Sequence, residues 1–446
     1  MTTLQTQVKQ NMAKHPLIAG SFLLTLAGFI SRLIGFFYRI YLSQLFGEEG
    51  MGVYQLLGPV MALSFSLTAA GFQTAISKFV AERTESHEQK PSCRPLFMGL
   101  SISLPASVLL MFIIMQGSEW IAIQFLQEPR TASMLRILAL SLPLSAVHAC
   151  INGYFYGLKK AGIPAITQLM EQCGRVLSVY VLATIGILQG STPTLNVTVI
   201  GLVIGEVIST IITIIALFHH LSTEHISYAP AGSISYGTLL GMAVPLIANR
   251  ITLNFLQSME TVSIPANLRL FGYDNSTALS VYGVLTGMAF PLLFFPNAIT
   301  SSFAVLLLPL ISERVSLGDT AGVKKLTAKT IQYCSLLGFS CMTVFLLFGN
   351  LLGKVLFHSE LAGFFITTLS FICPFLYLNN TLSAILQGMG KVLTLFAINV
   401  SGLLIRLFFI YAFIPTHGIQ GYLWGLLASQ LFLSTAYLLV TIRAHK

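Results

Sequence analysis

Polar residues in this chain fall into short interruptions between long apolar runs, and the spacing of those interruptions sets the fold class. Hydropathy predicts helices at 17–42, 52–80, 96–116, 133–156, 164–187 and 195–219. A second set follows at 237–259, 280–311, 327–349, 362–387, 393–414 and 419–442. Each run reaches the roughly 20 residues that an α-helix needs to cross a hydrocarbon core of about 30 Å. The prediction is an all-α polytopic membrane protein with about 12 transmembrane helices.

Composition sharpens this reading. Charged residues make up 9% of the 446 residues and hydrophobic ones 55%, against about 25% charged in ordinary soluble domains. A water-soluble fold of this length needs no such apolar surface. The formal net charge of +9 suggests nucleic acid, but the basic residues form no tract or aromatic-interleaved patch, so no nucleic-acid partner is expected. Topology accounts for them better. Lys78, Arg83, Lys90, Arg94, Lys159, Lys160, Arg314, Lys324, Lys325, Lys329 and Lys391 all fall in loops on the side of the N-terminus. The positive-inside rule then places both termini in the cytoplasm and the protein in the plasma membrane. The six cysteines show no metal-ligand or C-x-x-C spacing, so neither disulfide nor metal is expected.

The two halves of the pattern resemble each other. An arginine inside the first helix of each is followed by "LFG" (45–47 and 270–272), a tyrosine (Tyr54 and Tyr282) and "ER" (82–83 and 313–314). Arg175 stands as far beyond Gly157 as Arg406 stands beyond Gly388. A duplicated six-helix unit explains this common order. The expected organisation is a cytoplasmic tail (1–16), an N-lobe (17–219), a linker (220–236), a C-lobe (237–442) and a short cytoplasmic end (443–446). Because six is even, both copies insert the same way, so the lobes should be related by a pseudo-twofold axis along the membrane normal.

Charged residues inside such helices carry the candidate chemistry. Arg32, Arg39, Arg175, Arg250 and Arg406 all fall within predicted helices, where a cation costs about 2.5–3.5 kcal/mol and so faces protein or water. Under the duplication Arg32 corresponds to Arg250 and Arg175 to Arg406, and cations at matched depths around a central cavity favour an anion. All five are candidates to line that cavity and bind a pyrophosphate, although Arg39 lies nearer the end of its helix, where snorkelling to the interface is the alternative. Glu171 stands four residues before Arg175, the favourable order for a helical ion pair. Glu206, alone in its helix, is the candidate for ion coupling with Glu171, because an isolated buried carboxylate takes a proton or a partner. Glu260 is expected near the outer interface. Asn297, Asn379 and Asn380 are expected to bridge helices, with hydrogen bonding to sugars as the alternative. No P-loop, G-x-S-x-G elbow or H-E-x-x-H pair occurs, and the chain is read as no enzyme.

The runs "GEEGMGVYQLLGPV", "GFQTAISKFVAER" and "NGYFYGLKKAGIPAITQLMEQCGRVL" resemble the stage V sporulation protein B group of polysaccharide exporters. That group belongs to the multidrug/oligosaccharidyl-lipid/polysaccharide (MOP) superfamily, with the MATE exporters and MurJ-type lipid II flippases. The resemblance implies a MATE/MOP-like fold, alternating access, and flipping of an undecaprenyl-pyrophosphate-linked glycan or peptidoglycan precursor. It implies a functional Arg32, since Ser31, Arg32, Gly35 and Phe36 match the S-R-x-x-G-F motif of MurJ-type relatives, with Arg39 one position beyond their usual second arginine. Those relatives carry an acid early in helix 2, where this chain reads "MGVYQLL", and fourteen helices against about 12 here.

The expected function is a flippase with no resident cofactor, acting as a monomer among membrane lipids, with Na+ or H+ as the candidate coupling ion and envelope-synthesis enzymes as candidate partners. The alternative is a MATE-like exporter of drugs or metabolites. A scaffold without transport is a third reading, disfavoured because the cytoplasmic loops are sparse.

Overall fold

The computed structural model of the protein describes residues 16–85, 92–223 and 235–444. Most of the expected N-terminal tail and linker, and the last two residues, lie outside these. Among the described residues the structure is helical throughout, without strands. Twelve helices are long and apolar enough to span a bilayer, and one helix pair bent at a short break passes the same test only as a unit, as a broken span or a re-entrant loop. They run α1 (Pro16–Gln55), α2 (Gly58–Glu82), α3 (Arg94–Phe125), α4 (Thr131–Ala139), α5 (Ser141–Gly157), α6 (Gly162–Leu188) and α7 (Asn196–Thr223). Then come α8 (Tyr236–Phe271), α9 (Asn275–Phe294), α10 (Asn297–Ser316), α11 (Thr320–Phe357), α12 (Glu360–Gly388), α13 (Val392–His417) and α14 (Ile419–Ala444).

Three predicted helices are broken: the run at 52–80 divides at Leu56 and Leu57 between the end of α1 and the start of α2, and two others break at a proline. The run predicted at 133–156 is the bent pair, α4 and α5, turning by 43°. Pro143 has no N–H for the carbonyl of Ala139 and its ring crowds that carbonyl, so the first helix stops there. The run predicted at 280–311 divides into α9 and α10 at Phe295 and Pro296, for the same reason. Both "LFG" motifs prove to be turns. Gly47 kinks α1 at φ 68° and Gly272 follows α8 at φ 115°, left-handed values that favour glycine.

The chain divides into two compact units. The first comprises residues 1–34 and 59–254, the second residues 35–58 and 255–446. Helix α1 therefore belongs to the first unit up to Ile34 and to the second from Gly35, while α8 changes membership after Asn254. The core of the first unit gathers Phe72, Ile76, Leu96, Cys150, Tyr154 and Phe155 with Leu239 and Ala243 from the start of α8. The core of the second gathers Ile311, Cys334, Leu382, Ile385, Leu386 and Tyr437. Both are apolar faces of helices closed on one another. In a bilayer such packing draws on van der Waals contact and interhelical hydrogen bonds, lipid being as apolar as leucine.

One pairing scheme serves both units. In the first, α5 packs on α2, α3 and α7, and α6 pairs with α7. In the second, α12 packs on α10, α11 and α14, and α13 pairs with α14. The equivalent glycines close equivalent gaps: a Cβ on Gly157 would meet the carbonyl of Ser77, and one on Gly388 that of Leu308. The second unit adds a crossing of its own, where the end of α1 meets α9 with Gly52 against Leu279 and Gly283 against the backbone of Glu48 and Gly52.

Candidate functional site

The five intramembrane arginines fall into two groups. Arg32 on α1 and Arg250 on α8 both belong to the first unit, are exposed, and make no ion pair or hydrogen bond among the described residues. Their helices are apolar enough to span a bilayer, where a bare guanidinium against lipid is costly, so these side chains require water or an anionic ligand.

The remaining three arginines are engaged by the protein. On α6, Arg175 Nη2 lies 2.5 Å from Glu171 Oε1, with both side chains about four-fifths buried. Their i, i+4 spacing sets the two groups on one face of the helix. In the second unit, Arg406 Nη1 on α13 lies 3.0 Å from Glu260 Oε1 on α8. Tyr422 on α14 donates its hydroxyl to the same oxygen at 2.6 Å. Glu260 is only 6% exposed, and its expected place near the outer interface is corrected: the chain around it is longer in the helix than hydropathy suggested, and a cation awaits it. Arg39 donates to the carbonyl of Thr286 at 3.4 Å, an oxygen that Gln55 Nε2 also approaches at 3.2 Å.

A third constellation was not legible as such in the sequence. His148 on α5 brings Nδ1 to 2.9 Å from Ser209 Oγ and 3.4 Å from Glu206 Oε2, both on α7. Glu171 completes a group in which one ligand atom from each of His148, Glu171 and Glu206 lies within 4.8 Å of the others. The signal for His148 was a histidine inside an apolar helix, between Pro143 and Asn152. Glu206 therefore has the partner that a buried carboxylate needs.

The asparagines bridge helices. Asn380 on α12 donates to Ser301 Oγ at 2.9 Å and Thr300 Oγ1 at 3.2 Å on α10, with Asn297 Oδ1 at 3.3 Å. Asn379 donates to Gln430 Oε1 on α14 at 2.8 Å and accepts from Ser434 at 2.8 Å. In hydrocarbon an unmade hydrogen bond has no water to replace it, so such bridges hold helix register. The cluster of His148, Glu171 and Glu206 is able to bind an ion.

Comparison with known proteins agrees with this geometry. The sequence model of the polysaccharide biosynthesis protein family matches residues 17–315. Stage V sporulation protein B of Bacillus subtilis (strain 168) is 27% identical over 438 residues, covering 97% of this chain and 83% of that protein. Lipid II flippase MurJ of the same organism is 24% identical over 415 residues, covering 84% and 73%. Among solved structures, the inward closed conformation of lipid II flippase MurJ superposes with a TM-score of 0.72 at 14% identity, covering 95% of this chain and 89% of that one. The inward-facing conformation of a MATE family transporter of the MOP superfamily gives 0.70 at 15% identity, covering 93% and 94%. At these identities the solved structures speak for a common fold.

Proposed function

Since the chain belongs to the polysaccharide biosynthesis protein family, whose sequence model covers residues 17–315, we propose that it is a flippase for a lipid-linked glycan, carrying an anionic pyrophosphate-sugar head group across the membrane. The observation that carries this reading is the state of Arg32 and Arg250, two exposed guanidiniums on membrane-spanning helices with no protein partner among the described residues. A guanidinium presents paired N–H donors that match phosphate oxygens, and such charge-assisted bonds are about twice as strong as neutral ones. Arg175 and Arg406 are already matched to carboxylates and are given structural roles, as is Arg39. Glu171 and Glu206 remain the ion-coupling pair of this reading.

The name of one relative, a lipid II flippase, and the description of the family, polysaccharide biosynthesis, support the substrate class. The lipid tail stays in the bilayer while the head group passes, and the site opens alternately to the two faces. An inside-negative potential favours outward movement of an anion by about 2.3 kcal/mol per charge per 100 mV. A drug exporter for organic cations fits less well, because two of the acids in the spans, Glu171 and Glu260, are each paired with an arginine. The distribution of Lys and Arg supports a cytoplasmic location for both termini in this reading.

The test is flipping of labelled undecaprenyl-pyrophosphate-linked sugars in vesicles holding the purified protein. Arg32→Ala and Arg250→Ala each remove a contact of roughly 1.5–3 kcal/mol to a charged group, and each should slow flipping by at least tenfold. Unchanged flipping in both variants would sink the head-group role.

A further inference from the structure

The duplication makes a comparison possible inside one chain. His148 stands nine residues before Gly157, as Asn379 stands nine before Gly388, and these glycines occupy equivalent packing sites. Glu206 stands five residues after Gly201, as Gln430 stands five after Gly425. The two pairs make the same bridge, α5 to α7 in the first unit and α12 to α14 in the second. A hydroxyl completes each: Ser209 on His148, Ser434 on Asn379. One post has thus been built twice with different chemistry. In the second unit it is a pair of amides, which are neutral at any physiological pH. In the first it is an imidazole and a carboxylate, both titratable.

Charge balance then points to a ligand. With His148 neutral, Glu171, Glu206 and Arg175 sum to one negative charge in a setting where the His148 and Glu206 side chains are 13% and 15% exposed and those of Arg175 and Glu171 21% and 19%. An unbalanced charge away from water costs several kcal/mol. The other charges on helices packed around α5 do not supply the balance. Lys78 and Glu82 on α2 pair with each other, Glu119 on α3 pairs with Arg136 on α4, Arg94 sits at the start of α3, and Lys160, beyond α5, faces His220 at the end of α7. A divalent metal would overshoot, leaving the group one charge positive. A single monovalent cation balances it.

The hydrogen bonds identify which one. His148 Nδ1 is the shared atom: unprotonated, it accepts from Ser209 Oγ, and protonated, it donates to Glu206 Oε2. Nε2 of His148 is buried and without a hydrogen-bond partner, so the imidazole is not oriented as a metal ligand held from its far side. We propose that His148 and Glu206, flanked by the Glu171–Arg175 pair, form a site that takes up and releases one proton during each transport cycle, and that this site is confined to the first unit. Binding adds one H+ to Nδ1, brings the group from one negative charge to zero and turns the imidazole from Ser209 toward Glu206. The proton belongs to the pair, as strongly coupled groups titrate together. The proton site itself does not depend on the identity of the transported head group; its coupling to transport rests on the transporter reading above.

The full chain in lipid nanodiscs provides the first measurement. With 15N-histidine labelling, the His148 imidazole signal, assigned by its loss in His148→Asn, should move between its neutral and protonated positions as the pH is changed. In Glu206→Gln the group without a proton is already neutral, so the transition should shift to lower pH. The second measurement uses vesicles with a pH gradient. If one proton moves per turnover, a one-unit gradient shifts the steady-state distribution of transported substrate by about tenfold. That dependence should vanish in His148→Asn/Glu206→Gln, which installs the amide pair that the same protein already carries at Asn379 and Gln430. Folding of this variant is checked by its thermal transition. An invariant His148 signal, a gradient effect that survives in the double variant, or a response to a Na+ gradient in place of the pH gradient would each overturn the proposal. Absence of flipping by the parent protein would count against the lipid-glycan reading alone, because the histidine titration needs no substrate.

Discussion

Removing Arg406 should destabilise the second unit by a predictable amount. Arg406 is the cation that meets Glu260 Oε1 at 3.0 Å, and Tyr422 is the other donor to that oxygen. At an effective dielectric of about 20, unit charges at this distance attract by roughly 5 kcal/mol. Substitution to methionine keeps the apolar stem and deletes the charge, leaving the carboxylate of Glu260, only 8% exposed as a side chain, with Tyr422 alone. Breaking a buried pair in this way costs about 3–5 kcal/mol. The lower end applies here because the Arg406 side chain is 21% exposed. The double variant Glu260→Gln/Arg406→Met removes both charges and lets the amide accept from Tyr422, so most of the loss should return. The protein carries its own reporter: Cys93, Cys150, Cys334 and Cys373 are buried free thiols. A thiol-reactive fluorophore then follows thermal unfolding in detergent, after the exposed Cys173 has reacted. Arg406→Met should unfold well below the parent and the double variant between the two. If the single variant matches the parent, or the double variant is no better than the single, the pair is not the support that its geometry implies.

Gly52→Ala should cost about 1–3 kcal/mol by overpacking, since its Cβ would collide with the Leu279 backbone; the same thiol assay should show a lower transition, and an unchanged one would mean that the α1–α9 crossing yields easily. Asp274 caps α9 by accepting from the N–H groups of Ser276 and Thr277, and its hydrogen bonds from Thr277 hold the carboxyl below the usual carboxylate range. Because the folded value is depressed, the cap's contribution is present above the unfolded value near 3.9 and is lost as pH falls through the lower folded one. Amide protection at Ser276 and Thr277, taken relative to the intrinsic exchange rate at each pH, should therefore be lower in Asp274→Ala at neutral pH, with the parent's protection unchanged from pH 7 down to about 5; equal protection in parent and variant would remove the cap's role.

Much of the fold lay open in the pattern of apolar runs, because hydrocarbon leaves a spanning segment no way to satisfy its backbone except as a helix. Two of the runs that broke did so at Pro143 and Pro296, residues visible in the sequence whose effect was not: a proline bends a membrane helix only if neighbours accept the freed carbonyls. The arginines were equally visible. Which of them were matched was less so. Arg175 and Glu171 are one turn apart and readable as a pair, whereas Arg406 and Glu260 are brought together from α13 and α8, and no local spacing announces that meeting. His148 was the residue most poorly signalled, since its partners lie some sixty positions away on α7.

By itself the sequence determined the solvent of this protein, its helices, the repeat within it and the identity of its intramembrane charges. These follow from local rules: twenty apolar residues in a row, two glycines in corresponding turns, a guanidinium where lipid would reject one. The tertiary structure decided which charges cancel and which stay open. Pairing across helices depends on where side chains from distant segments arrive, to within an ångström or two. Only the packed units could assign Glu260 to Arg406, give Glu206 a histidine, and leave Arg32 and Arg250 exposed without a partner among the described residues.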